Sequence, residues 1–127
     1  MIFECLIVGL GGFIGSIARY LIGLIPINET NIFPINTFMI NIIGSIVIGL
    51  IAFYLTKNNS YNDNIILFLK MGVCGGFTTF STFALETGDL IKSGNTEIAF
   101  MYVLLSVIVG VCAIFLPELV YNRITPL

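Results

Sequence analysis

Gly75–Gly76–Phe77–Thr78–Thr79–Phe80–Ser81–Thr82–Phe83 is the stretch on which the fold turns. It stands inside an apolar run that starts near Asn64 and continues to about Ile91. Glycine costs about 1 kcal/mol against alanine in a helix interior, and threonine is also unfavourable there. The run is long enough to cross a membrane, so a spanning helix is expected over residues 64–91, broken within this stretch. In lipid, freed backbone groups must find partners inside the protein. The break should therefore be buried or line a polar cavity. It exposes carbonyls on one side and amides on the other, and freed carbonyls can coordinate a cation.

Three further apolar segments flank this one. The first covers residues 2–25, with Glu4 at its start and Arg19 inside it; the second covers 37–55 and the fourth 98–116. The segment 26–36 holds Pro26, Asn28, Glu29, Asn31, Pro34 and Asn36 and reads as an interfacial loop. Residues 56–63 (TKNNSYND) and 92–97 (KSGNTE) read as sharp loops, and Pro117 and Glu118 mark the expected end of the fourth span. The expectation is one all-α membrane domain over 1–127, with four transmembrane helices and a break in the third. Gly11 and Gly15, Gly12 and Ser16, and Ser45 and Gly49 are each four apart. That spacing lets membrane helices approach closely.

Composition agrees with a lipid setting. The chain has 127 residues, 57% hydrophobic and only 9% charged. A soluble domain carries roughly 25% charged residues, and a small particle has much surface to cover. No basic run suggests a nucleic-acid partner. There is no histidine, which removes the commonest proton shuttle and metal ligand. Cys5, Cys74 and Cys112 lie in apolar stretches without metal-ligand spacing and read as free, buried thiols. No nucleophile–base pair is visible, so an enzyme is not expected. The N-terminus lacks the basic region of a secretory signal peptide. Lys57, Arg123, Lys92, Arg19 and Lys70 distribute so evenly that the positive-inside rule sets no firm orientation. Either topology is weakly set, or the chain inserts both ways and pairs antiparallel.

Phe77, Phe80 and Phe83 recur every three residues, interleaved with hydroxyl side chains. A phenyl ring has a negative face and a positive edge. Ring edges with hydroxyl and amide donors can contact a small anion weakly enough to release it.

The run GGFTTFSTF at 75–83, with Glu86 after it, resembles the signature of the Fluc (CrcB-type) fluoride channel family. Gly11–Gly12–Phe13–Ile14–Gly15 with Arg19–Tyr20 resembles that family's first-span motif, and Thr37, Asn41, Gly44 and Ser45 its second-span motif. The resemblance implies an antiparallel dual-topology dimer in the cell membrane of a prokaryote. The pair would be a homodimer, or a heterodimer with a related chain. It implies a passive, fluoride-selective channel exporting cytoplasmic fluoride, with a structural sodium ion at the dimer interface. By motif match the backbone carbonyls of Gly75 and Thr78 would hold that sodium. Phe80, Phe83 and Asn41 would line the fluoride pathway, with Tyr102 and Ser106 on the fourth span and Thr79, Ser81 and Thr82 as further hydroxyls. Arg19, Glu86 and Thr37 match vestibule or gating positions. The fourth span departs from the family where Gly110 and Ile114 follow Ser106, since relatives often continue a hydroxyl track there. The competing reading is a proton-coupled small multidrug transporter, which needs an embedded carboxylate in its first span.

Overall fold

The computed structural model describes residues 1–27, 31–58 and 62–125. Asn28 and Glu29 of the first loop, and residues 59–61 of the second, lie outside the described residues. The described chain is all helical, and four helices are long and apolar enough to cross a membrane. They are α1 (Ile2–Gly23), α2 (Ile35–Lys57), the composite third span Asp63–Lys92, and α6 (Thr96–Ile124). The third span consists of α3 (Asp63–Ile66), a π-helical stretch (Leu67–Cys74), α4 (Gly75–Phe77) and α5 (Phe80–Lys92). Between α4 and α5 the backbone of Thr78 and Thr79 is extended, with φ/ψ of −75/155° and −146/113°.

Short-range chemistry explains where the elements stop. The end of α1 leaves carbonyls without helical donors. Asn36, at the start of α2, reaches back and donates from Nδ2 to Ile25 O (2.9 Å) and Gly23 O (3.3 Å). Between α5 and α6 the chain turns at Gly94, whose φ of +84° is costly for a residue with a Cβ. The N–H groups of Ser93, Gly94 and Asn95 close the end of α5 on Asp89, Ile91 and Leu90 carbonyls.

One boundary differs from the sequence reading. The fourth helix does not end at Pro117 but runs through it to Ile124. A proline inside a helix forfeits one hydrogen bond. Residues 98–116 rise about 28 Å and already cross the core; the turns beyond Pro117 carry Glu118, Asn122 and Arg123 and extend the helix past the apolar segment.

Glycines set the packing. A Cβ on Gly11 would meet Phe68 O at 2.5 Å and Gly72 Cα at 2.8 Å; one on Gly76 would meet Gly12 O at 2.5 Å. One on Gly15 would collide with Val73 O and Phe77 N. Thus α1 lies backbone to backbone against the π-helical stretch and α4. Gly49 likewise brings α2 onto the Ile114 backbone of α6. This is the small-residue packing expected from the spacing, since apolar side chains gain nothing by leaving lipid for one another.

The buried side chains cluster near the α5–α6 turn, where Leu90, Ala99 and Tyr102 pack with Phe33, Phe38, Phe83 and Ile98. The thiols require a correction: Cys74 is buried, but Cys5 and Cys112 are exposed on the chain's surface. In a membrane helix both the lipid face and the core face are apolar, so hydrophobic context alone does not assign a side.

Gly15→Ala is expected to destabilise the protein by at least about 1–3 kcal/mol, the usual cost of overpacking, because the obstacle is backbone. Gly12→Ala, whose Cβ would meet nothing within 4 Å, is the control. Thermal unfolding in detergent reads both, and equal midpoints for the two variants would contradict the packing.

Candidate functional site

The extended pair Thr78–Thr79 carries backbone groups that no longer belong to a helical ladder. Asn41, on α2, takes up both groups of Thr79. Its Oδ1 accepts from Thr79 N–H (2.8 Å) and its Nδ2 donates to Thr79 O (3.1 Å). One side-chain amide thus does for Thr79 what a neighbouring backbone would do. Thr79 N–H is the group that would bond to Gly75 O in an unbroken helix. Its diversion to Asn41 removes that donor from the Gly75 carbonyl.

The hydroxyls nearby are mostly committed. Thr78 Oγ1 donates to Cys74 O (2.9 Å). Thr79 Oγ1 caps α5 by accepting from Thr82 N–H (3.2 Å), and it donates to Thr82 Oγ1 (3.0 Å). Ser45 Oγ donates to Asn41 O (2.8 Å). Ser106 Oγ is the exception: it is buried and has no hydrogen-bond partner among the described residues.

Two cavities meet at Thr79. The first, of about 410 Å³, is lined by Asn41, Ser45, Thr78, Thr79, Gly75, Phe80, Phe83, Ser106 and Lys70, among others. Among the described residues no carboxylate lines it. Asn41 has spent one of its two amide hydrogens on Thr79 O. The second hydrogen and the Ser106 hydroxyl are therefore the uncommitted side-chain donors of the α2 and α6 walls. The ring centroids of Phe80 and Phe83 lie 5.7 Å apart, tilted by 46°. Phe80 is 80% exposed, so this cavity opens on the surface of the chain.

The second cavity, of about 370 Å³, is lined by Arg19, Thr37, Thr79, Thr82, Glu86, Asn36 and neighbours. Glu86 sits between three helices. Its Oε1 accepts from Thr37 Oγ1 (2.8 Å) and its Oε2 from Tyr102 OH (2.8 Å). Tyr102 is wholly buried, with its ring centroid 5.0 Å from that of Phe83 and 5.2 Å from that of Phe33.

The structure therefore gathers Asn41, Phe80, Phe83, Thr79, Ser106, Gly75 and Thr78 around one cavity. It gathers Arg19, Thr37, Thr82 and Glu86, again with Thr79, around the other. Tyr102 lines neither and turns its hydroxyl to Glu86. Ser81 also lines neither; it is exposed, with its Oγ 3.4 Å from that of Thr79. Phe77 is separated from the other two rings by the extended pair and packs toward Gly44. Sequence reasoning gave Ser45 a packing role and a place in the second-span motif but no place in a cavity lining, and it counted Lys70 only among the charges that bear on orientation. Ser45 had a signal, four residues after Asn41 on one helix face. Phe33 had none, since its meeting with Tyr102 is tertiary.

The family model described as CrcB-like protein, Camphor Resistance (CrcB), matches residues 6–117. The chain is 46% identical over 114 residues to a protein of Gloeothece citriformis, covering 89% of this chain and 92% of that one. It is 38% identical over 117 residues to one of Azobacteroides pseudotrichonymphae, covering 91% and 94%. It is 44% identical over 108 residues to one of Flavobacterium psychrophilum, covering 84% and 86%. Each of these relatives is named a fluoride-specific ion channel FluC.

Asn41→Ala is expected to leave both backbone groups of Thr79 unpaired, at about 1–3 kcal/mol for each group. The lowered midpoint of thermal unfolding in detergent measures this. A variant as stable as the unaltered protein would show that water or another side chain replaces the amide.

Proposed function

This chain belongs to the CrcB-like protein family, and from that premise we propose that it is a passive, fluoride-selective channel of the cell membrane. The observation that carries the reading is the first cavity. The Asn41 amide, the unpartnered Ser106 hydroxyl and the rings of Phe80 and Phe83 converge there, with no carboxylate among the described lining residues. Fluoride leaving water needs donors, and a conduit needs them few and weak. Two hydrogen-bond donors and positive ring edges meet both demands.

The fluoride pathway comprises Phe80, Phe83, Asn41 and Ser106, with Thr79, Ser81 and Thr82 as flanking hydroxyls and Tyr102 acting through Glu86. Arg19 raises the potential of the second cavity for an anion. Glu86, held by Thr37 and Tyr102, governs the shape of that cavity rather than binding fluoride, because like charges repel. Export follows from general chemistry. Hydrogen fluoride crosses membranes as a weak acid and ionises inside the cell. An anion leak then lets the negative interior expel the ion without energy coupling.

The third span bears on assembly. We read Thr78–Thr79 as the break, and Gly75, Met71 and Phe80 as a face presented to a second, antiparallel copy or a related chain. All three are exposed on the single chain. The carbonyls of Gly75 and Thr78 are hard oxygen donors, and the Gly75 carbonyl has lost its helical partner to Asn41. Contributed by two chains, such carbonyls suit a sodium ion, which would supply fixed positive charge and join the chains. A multidrug transporter is not favoured. Glu4, the carboxylate of the first span, is exposed at the helix start and pairs with the Met1 ammonium.

Purified protein in liposomes tests the reading. Fast, electrogenic fluoride efflux that chloride does not match is expected, with Phe80→Ile slowing it at least about tenfold, or roughly 1.4 kcal/mol on the barrier. Drug-stimulated proton movement without fluoride current would overturn it. Sodium is expected to stay bound through many turnovers, and its stoichiometric movement with fluoride would contradict a structural role.

A further inference from the structure

Among the described residues Lys70 is the one basic side chain lining the first cavity. It lies eight residues before Thr78, which by count is near the middle of the third span. Eight helical residues rise at most about 12 Å and half the hydrocarbon core is about 15 Å, so Lys70 falls toward the edge of the apolar layer, with the headgroups within reach of its stem.

Two observations say what it does there. Lys70 belongs to the π-helical stretch Leu67–Cys74, a rare geometry that recurs at functional sites. Among the described residues it forms no ion pair; the pairs present are Met1–Glu4 and Lys92–Asp89. Its charge is thus uncompensated and faces a cavity whose uncommitted groups, on Asn41 and Ser106, are donors.

We propose that Lys70 is an anion-recruiting residue at the mouth of the first cavity, its ammonium raising the local concentration of fluoride before the ion meets Asn41 and Ser106. The inference rests on the channel reading. It gives each cavity one cation, Lys70 on one side of Thr79 and Arg19 on the other. Lys70 acts through its field and its long stem, so arginine serves in its place. The alternative is a lysine that merely snorkels to the headgroups as an anchor.

The experiment is fluoride efflux from liposomes at low and high ionic strength, with Lys70→Met, Lys70→Gln and Lys70→Arg. The screening length is about 30 Å at 0.01 M salt and about 3 Å at 1 M. Lys70→Met and Lys70→Gln are expected to slow efflux at least about threefold at 0.01 M, with the difference vanishing at 1 M. Lys70→Arg is expected to match the unaltered protein at both. Folding is not at risk, because the two neutral variants remove a charge from an exposed, lipid-level position. Neutral variants that conduct normally at 0.01 M would overturn the proposal. So would a loss that persists at 1 M or that arginine shares, since that marks an anchor. If the unaltered protein passes no fluoride, the channel reading itself fails.

Discussion

Two hydrogen bonds between Asn41 and Thr79, one in each direction, hold the site in place. A membrane span can leave helical geometry only if something inside the protein satisfies the backbone it releases. Asn41 satisfies an N–H and a C=O on one residue. Leucine at that position would pack equally well in lipid and leave both groups stranded. The same side chain lines the first cavity and has one amide hydrogen beyond the one given to Thr79. Satisfying the fold and offering a donor are consequences of one placement.

Other features keep that placement rigid. Glycines on α1 let its backbone touch the π-helical stretch and α4, fixing the chain that leads into Thr78. Gly44 makes room for the Thr78 methyl, since a Cβ there would collide with it. On the far side, Glu86 ties α5 to α2 through Thr37 and to α6 through Tyr102. The extended pair is thus braced from three helices while its side chains face two cavities.

The four apolar segments were legible because span length and hydropathy are properties of the linear sequence. Residues 75–83 stood out as well, by their glycine, threonine and phenylalanine content. Their inner arrangement was less legible. The glycine doublet reads as the weak point of the helix, yet Gly75 and Gly76 are helical and the extended residues are Thr78 and Thr79. Gly76 is small because Gly12 lies against it, a tertiary fact. Pro117 marks the end of the apolar segment but not of the helix, which continues through Glu118, Asn122 and Arg123 to Ile124. The exposed Cys5 and Cys112 show the same limit, because apolar residues there do not reveal which way they face. The departure at Gly110 and Ile114 was visible, but not what stands opposite: Ser45 Oγ, 3.7 Å from where a Gly110 Cβ would be.

Thr79 is a party wall. It lines both cavities, and both of its backbone groups and its hydroxyl are already engaged. A larger side chain there takes volume from both compartments at once, and a shift toward one is a shift away from the other. Neither chamber can be resized at this residue without remodelling its neighbour. Attempts to retune the lining therefore belong on α2 and α6, where Ser45 and Ser106 each face only the first.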